Sequence, residues 1–121
     1  MARILIIEDE ELVRFSLADT ILLAGHEVLE ARNGQEGLNI LGEEQIDIVI
    51  TDIIMPVMEG VQTTIEIRRS HPTLKIIAIS GGGRAKNMQY LNLAKHYGAD
   101  FILKKPFSNE ELIRAINKCI E

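Results

Sequence analysis

Five short apolar runs, separated by segments with helical spacing, constrain the fold of this 121-residue chain more than any other feature. Three of the runs are almost continuous in isoleucine, leucine and valine, which is typical of parallel strands covered on both faces. The predicted strands are 3–8, 27–31, 47–51, 75–80 and 101–104. The predicted helices are 10–23, 34–43, 59–69, 84–97 and 108–119. Because each strand precedes a helix, the pattern predicts an α/β protein with a doubly wound parallel sheet.

The predicted helices carry end signals and apolar faces. The start signals are Asn33 with Glu36 and Ser108 with Glu111, and the stop signals are Gly25 and Gly98. Apolar side chains at helical spacing are expected to pack against the sheet. They are Leu12, Phe15, Leu22, Ile65, Leu112, Ile113 and Ile116.

Size and composition limit the function classes. A chain of 121 residues with a net charge of -5 fits one domain, 1–121, and lacks the clustered lysines and arginines that nucleic acid and anionic lipid require. Cys119 is the only cysteine, which excludes a disulfide framework and a multi-thiolate metal site. No apolar run approaches membrane-spanning length, and the first residues lack the apolar core of a signal peptide. We expect a soluble cytoplasmic domain that binds neither nucleic acid directly nor a membrane.

Polar residues stand where four of the predicted strands end. Glu8 and Asp9 lie at the end of the first strand, Asp52 at the end of the third, Ser80 at the end of the fourth and Lys105 at the end of the fifth. The carboxyl ends of parallel strands share one edge of the sheet, and ligands of open α/β folds bind at that edge. We therefore expect these side chains to lie close together.

Crowded carboxylates at such an edge need a positive charge. Two unit charges ~4 Å apart repel by about 4 kcal/mol at an effective dielectric of ~20. A hard divalent cation offsets this repulsion, and a small number of protein oxygens with several waters favours Mg²⁺ over Ca²⁺. A carboxylate beside Mg²⁺ can attack a phosphoryl group. The hydroxyl of Ser80 and the ammonium of Lys105 are donors that suit the phosphoryl oxygens.

A structural interpretation of the same residues stays open at this point. Glu8 and Asp9 can cap the first helix. Asp52 can cap the turn that follows it, with Lys105 as a solvated surface residue. The combination favours a functional site, because independent caps have no reason to bring acids, a hydroxyl and a lysine to one edge.

Other polar features point to a site less strongly. His26, His71 and His96 fall at predicted turns or helix ends, away from the acidic edge, and are expected to be solvated. The glycines at 81–83 are compatible with an anion-binding nest or with a flexible loop. We expect a mobile loop there, because a shift of the preceding hydroxyl requires a backbone of low local stability.

Four segments combine an acidic pair, an acceptor carboxylate, a hydroxyl and a Lys-Pro pair. They are ILIIEDEELVR, DIVITDIIMPVMEG, IIAISGGG and GADFILKKPF. In this combination the whole chain resembles the receiver domains of two-component response regulators. The resemblance implies a flavodoxin-like (βα)5 three-layer sandwich with the parallel strand order 2-1-3-4-5. It also implies a cis peptide bond before Pro106, which an X-Pro bond permits at low cost.

The resemblance assigns a role to each residue of the edge. Asp52 would be the phosphoacceptor, and Ser80 and Lys105 would be the hydroxyl and lysine partners of the phosphoryl group. The ligands of Mg²⁺ would be Glu8, Asp9, Asp52 and the backbone carbonyl of Ile54.

The resemblance also implies protein partners. The phosphoryl donor would be a phosphohistidine on a sensor histidine kinase or on a histidine phosphotransfer protein. An output partner would bind the face formed by the fourth predicted helix, the fifth strand and the fifth predicted helix. The domain would be a monomer or a weak homodimer, and it would not be a turnover enzyme.

Two other functions stay open. A haloacid-dehalogenase-type phosphatase would also use Asp52 as nucleophile, but that class normally carries a second aspartate two residues later, where Ile54 stands. A degenerate receiver would serve only as a binding module, and the intact acidic set counts against it.

Three positions depart from the common receiver pattern. Many receivers carry an aromatic residue where Ile102 stands, and the adjacent Phe101 should point to the opposite face of the sheet. We therefore do not expect the usual aromatic rotation during switching. Ile54 and Gly82 flank the expected path of hydrolytic water, and neither side chain can orient it. We expect slow to moderate autodephosphorylation.

Overall fold

The structure is a computed structural model that describes residues 1–52, 59–80, 92, 95–96 and 98–121, with the backbone alone for Glu59 and Ser80. The strands are β1 (Arg3–Ile7), β2 (Glu27–Ala31), β3 (Ile48–Asp52), β4 (Lys75–Ser80) and β5 (Phe101–Lys104). The helices with described bounds are α1 (Glu11–Leu23), α2 (Gly34–Glu43), α3 (Glu59–Ser70) and α4 (Asn109–Ile120). Most of the predicted helix 84–97 lies outside the described residues.

The strands form one parallel sheet in the order β2-β1-β3-β4-β5. This order confirms the doubly wound, flavodoxin-like fold. β3 occupies the centre of the sheet, and all five of its residues are buried. Its composition of isoleucine, valine and threonine suits this position, since both faces of a central parallel strand are covered.

Side chains alternate between the two faces of the sheet, and each face carries its own apolar core. α1 and α4 cover one face, while α2 and α3 cover the other. Buried members of the first core include Ile6, Leu17, Ile50 and Ile116. Buried members of the second core include Leu5, Leu41, Val49 and Ile67. The helices and the sheet therefore form the three layers that the sequence predicts.

The predicted helix starts are confirmed. Asn33 precedes α2, and its side chain accepts a hydrogen bond from the N–H of Glu36 at 2.9 Å. Ser108 precedes α4, and its Oγ accepts from the N–H of Glu111 at 3.0 Å while the Glu111 carboxylate accepts from the N–H of Ser108 at 3.2 Å. The predicted bounds of β2, α2, β4 and β5 agree with the structure, and those of the other described elements differ by a single residue at either end.

The buried face of α1 differs from the prediction. Leu12, Phe15 and Leu22 are 82%, 50% and 54% exposed, so the expectation that they pack against the sheet is wrong. The buried residues are Arg14, Leu17, Ala18 and Ile21. Apolar residues occur around most of the circumference of α1, and Arg14 is one of the residues on its buried face. The spacing of apolar residues alone therefore predicted the wrong face of the helix as buried. The same prediction is confirmed for Leu112 and Ile116 of α4, which are both buried.

None of the helices in the described part of the chain is long and apolar enough to cross a lipid bilayer.

Gly37→Ala tests how closely α2 approaches the sheet. A Cβ at Gly37 would lie 2.9 Å from Cγ1 of the fully buried Ile7, whereas a Cβ at Gly42 of the same helix would meet nothing within 4 Å. We expect Gly37→Ala to lower the free energy of unfolding by about 1–3 kcal/mol through overpacking. Gly42→Ala should leave it unchanged or raise it by up to about 1 kcal/mol. Urea unfolding measures both, and equal stabilities would contradict the close approach.

Candidate functional site

The register of β1 and β3 brings two carboxylates side by side at the carboxyl edge of the sheet. Ile7 lies opposite Thr51 in the ladder, so Glu8 and Asp52 follow at the same level. Glu8 is 1% exposed and Asp52 is 8% exposed. The expectation that these two residues meet is therefore confirmed, and both are more deeply buried than surface caps would be.

Lys105 brings a cation to the two carboxylates. Its Nζ lies 3.4 Å from Oδ2 of Asp52 and 3.7 Å from Oε1 of Glu8. Lys104 is opposite Ser80 in the β4–β5 ladder, so Lys105 emerges at the same edge. The Lys105–Pro106 peptide bond is cis, as the resemblance implies. Lys105 thus contacts the site and is not a detached surface residue.

Glu8 has one satisfied and one unsatisfied carboxylate oxygen. Oε2 accepts a hydrogen bond from the N–H of Glu10 at 3.0 Å. Oε1 is buried and has no hydrogen-bond partner within the described residues. Burial raises the pKa of Glu8 to about 8, and the neighbouring carboxyl groups of Asp52 and Asp9 act in the same direction. The ionised form of Glu8 is therefore disfavoured in the folded protein.

The interpretation of Glu8 and Asp9 as helix caps agrees less well with the structure. The N-cap residue of α1 is Glu10, and its side chain makes no capping hydrogen bond. The Glu8 carboxylate accepts from the N–H of this N-cap residue and is turned toward Asp52 and Lys105. Asp9 is exposed. Glu8 is thus part of a charged cluster and is not a helix cap.

The donor set is compatible with Mg²⁺ but is not a complete cage. Among the described residues, no group of three or more His, Cys, Asp and Glu side chains is arranged to hold a metal ion. Oε1 of Glu8, which accepts no hydrogen bond within the described residues, and the adjacent carboxylate of Asp52 are hard oxygen donors. Mg²⁺ commonly binds through one or two carboxylates and retains several waters. These residues therefore fit Mg²⁺.

Several predicted site groups lie outside the described part of the chain. These are Ile54, the side chain of Ser80 and the glycines at 81–83. The predicted contrast between Phe101 and Ile102 is confirmed, since the two pack against the cores on opposite faces.

Two histidines differ from the prediction. His26 is half-buried, and its Nδ1 accepts a hydrogen bond from the N–H of Ala2 at 3.0 Å. His71 is also half-buried, and its Nδ1 lies at hydrogen-bond distance, 2.9 Å, from Oγ of Ser70. The expectation of solvated side chains is therefore wrong for these two residues.

Arg14 belongs to the site's surroundings and was missed at the level of sequence. It is 8% exposed, and its Nη1 donates to the backbone carbonyl of Glu8 at 3.0 Å. Arg14 lies one helical turn before Leu17 and Ala18, so its charge is on the buried face of α1. A charged residue at helical spacing from apolar residues that are predicted to be buried is the sequence signal that would have identified Arg14.

The fold and this edge define a flavodoxin-like α/β protein with an acidic, lysine-paired site. A family model for the response regulator receiver domain matches residues 4–117. The chain is 38% identical to chemotaxis protein CheY of Thermotoga maritima over 96% of this chain and 95% of that protein. It is 34% identical to sensor kinase CckA of Brucella abortus over 99% of this chain, but it spans only 13% of that protein.

A solved structure agrees with these matches. The crystal structure of a response regulator receiver domain protein from Clostridium thermocellum superimposes with a TM-score of 0.90 at 35% identity, covering 99% of this chain and 94% of that chain. The protein described here therefore belongs to the receiver domain family of two-component response regulators.

Glu8→Gln should remove a pH-dependent loss of stability. The pKa of Glu8 is raised from 4.5 to about 8 in the folded protein, so the folded state binds more protons than the unfolded state between these values. Stability therefore falls as the pH rises through this window. In urea unfolding with a chelator present, we expect the wild type to lose stability relative to Glu8→Gln between about pH 5 and pH 8. Parallel pH profiles for the two proteins would contradict the raised pKa.

Proposed function

We propose that the chain is a phosphoacceptor domain in which Asp52 takes a phosphoryl group from a phosphohistidine. The donor is a sensor histidine kinase or a histidine phosphotransfer protein. The observation that supports this most is the cluster at the carboxyl edge, where Asp52 lies 3.4 Å from Nζ of Lys105 and beside the buried Glu8. Such a cluster combines a nucleophile with the positive charge that a phosphoryl group requires.

In the proposed reaction, a carboxylate oxygen of Asp52 attacks the phosphorus of the donor. The P–O bond to Asp52 forms as the P–N bond breaks, and the imidazole leaves with the electron pair of that bond. Lys105 holds an oxygen of the incoming phosphoryl group, as its ammonium already lies between Asp52 and Glu8. Ser80, at the end of β4, is proposed to donate to another phosphoryl oxygen.

Mg²⁺ is the proposed cofactor. Its ligands are proposed to be Glu8, Asp9, Asp52 and the backbone carbonyl of Ile54. When bound, the ion supplies positive charge that offsets the carboxylates and the phosphoryl oxygens. Oε1 of Glu8 supports this assignment, since it is buried and accepts no hydrogen bond within the described residues, and Nζ of Lys105 approaches it only to 3.7 Å.

Phosphorylation is proposed to act as a switch. The output partner would bind the face formed by the predicted helix 84–97, β5 and α4. Ile102 replaces the usual aromatic residue on β5, so switching is proposed to proceed through Ser80 without an aromatic rotation. The domain is proposed to hydrolyse its own acyl phosphate at a slow to moderate rate, not to turn over substrate, and to be a monomer or a weak homodimer.

An apolar groove beside Lys105 is the proposed docking surface of the donor. It lies between α1 and α4 and has a volume of about 690 Å³. Its lining includes Leu12, Val13, Leu17, Lys105, Phe107 and Leu112. Lys105 lines the groove and also contacts Asp52, so a protein seated there is adjacent to the acceptor. The exposed side chain of Leu12 offers apolar surface for this contact.

Asp52→Asn tests the phosphoacceptor. Wild-type protein incubated with Mg²⁺ and acetyl phosphate should gain a single phosphoryl group in intact-mass analysis. The gain should be absent in Asp52→Asn and absent when a chelator removes Mg²⁺. Steady hydrolysis of the donor with no trapped adduct would favour the phosphatase instead. Neither adduct nor hydrolysis in folded protein would favour a binding module.

Leu12→Glu tests the docking groove. With a sensor histidine kinase that phosphorylates the wild type, we expect transfer to Asp52 to slow by about tenfold or more, since a buried charge at an interface is costly. The rate with acetyl phosphate should not change. Leu23→Glu is the matched control, because Leu23 is 84% exposed at the other end of α1 and does not line the groove. Equal effects of the two substitutions would contradict this docking site.

A further inference from the structure

Arg14 is buried next to the acidic edge although its side chain carries a permanent charge. A buried charge is costly unless it is paired and hydrogen-bonded. Its Nε donates to Oε1 of Glu30 at 3.0 Å, and its guanidinium lies 5.6 Å from the ring centre of Phe15. The ion pair with Glu30 on β2 therefore compensates the charge of Arg14.

The remaining contact of Arg14 reaches the backbone of the acidic pair. Its Nη1 donates to the carbonyl oxygen of Glu8 at 3.0 Å, in a buried position. The N–H of Glu8 donates to the carbonyl of Ala31 at 3.0 Å. β1 ends at Ile7, so Arg14 and Ala31 hold the backbone of Glu8 just beyond the strand.

We infer that Arg14, fixed by Glu30, is a positioning residue for the acidic pair. By holding the peptide group between Glu8 and Asp9, it sets the directions of both carboxylates before the cation binds. The side-chain hydrogen bonds described for Arg14 go to the Glu8 carbonyl and to Glu30, so it acts on the carboxylates through the backbone. This inference rests on the proposed binding of Mg²⁺ at this edge.

Charge and geometry make different predictions for two variants. Arg14→Met removes a positive charge and leaves Glu30 unpaired, so electrostatics alone would make Mg²⁺ bind more tightly. Loss of positioning would make it bind more weakly. Arg14→Lys keeps the charge, but an ammonium cannot reproduce the planar fork that donates in two directions. Weaker binding in both variants is therefore specific to positioning.

Arg68→Lys is the matched control. Arg68 also donates to backbone carbonyls, those of Leu74 at 2.7 Å and Gly98 at 2.6 Å, and it pairs with Asp100 at 2.9 Å. These contacts lie beside the starts of β4 and β5, at the amino edge of the sheet. The substitution removes a similar network far from the acidic pair.

Isothermal titration with Mg²⁺, on proteins shown by urea unfolding to be folded, measures the effect. We expect the Kd to rise about tenfold or more in Arg14→Lys and in Arg14→Met, the range typical for residues that orient metal ligands, and to stay unchanged in Arg68→Lys. At saturating Mg²⁺, Arg14→Lys should regain the wild-type maximum rate of phosphorylation by acetyl phosphate. Arg14 does not contact the reacting atoms, so only the half-saturating Mg²⁺ concentration should rise.

The outcomes separate the two claims. An unchanged Kd in both Arg14 variants, or tighter binding in Arg14→Met, would overturn the positioning role while leaving the proposed function intact. An equal loss of Mg²⁺ affinity in Arg68→Lys would also overturn the positioning role, because the loss would then reflect the lower stability of the fold alone. No Mg²⁺ binding by the wild type would overturn both the proposed cofactor and the positioning role.

Discussion

The contact between two buried carboxylates and one lysine is the interaction on which this site depends. Glu8 and Asp52 are placed at the same level by the β1–β3 register, which pairs Ile7 with Thr51 directly before them. Lys105 compensates them only in part, since its Nζ lies 3.4 Å from one and 3.7 Å from the other, and Oε1 of Glu8 still lacks a hydrogen-bond partner within the described residues. Burial raises the pKa of Glu8, and the neighbouring carboxyl groups act in the same direction. A divalent cation is the ligand that would complete the charge balance.

The rest of the fold keeps this arrangement in place. All five residues of β3 are buried, so the strand that carries Asp52 is packed on both faces. Arg14 and Ala31 continue the support of Glu8 beyond the end of β1. Lys105 directly follows β5, so its position at this edge is determined by the place of β5 in the sheet. Groups from α1 and from the ends of four strands, β1, β2, β3 and β5, thus lie close together at one edge of the sheet.

Much of this arrangement is predictable from sequence, and the exceptions have physical causes. Continuous apolar runs and end signals predict the strands, the helices and the meeting of Glu8, Asp52 and Lys105, because period and strand direction decide them. The buried face of α1 was not predictable in the same way, since apolar residues occur around most of the helix and Arg14 lies on the buried face. The link from Arg14 to the Glu8 carbonyl depends on tertiary contacts that no local pattern encodes. The unsatisfied oxygen of Glu8 is likewise a property of packing.

The most direct test of Asp52 as the acceptor is to identify the phosphorylated residue by chemical conversion. Protein treated with acetyl phosphate and Mg²⁺ is reduced with borohydride, which converts an aspartyl phosphate into homoserine, and peptide mass spectrometry then finds the converted residue. We predict homoserine in place of Asp52, with Glu8 and Asp9 unchanged and no conversion in the presence of a chelator. Conversion of Asp9 in place of Asp52, or a phosphoryl group that survives reduction on another side chain, would contradict the central claim that Asp52 is the acceptor.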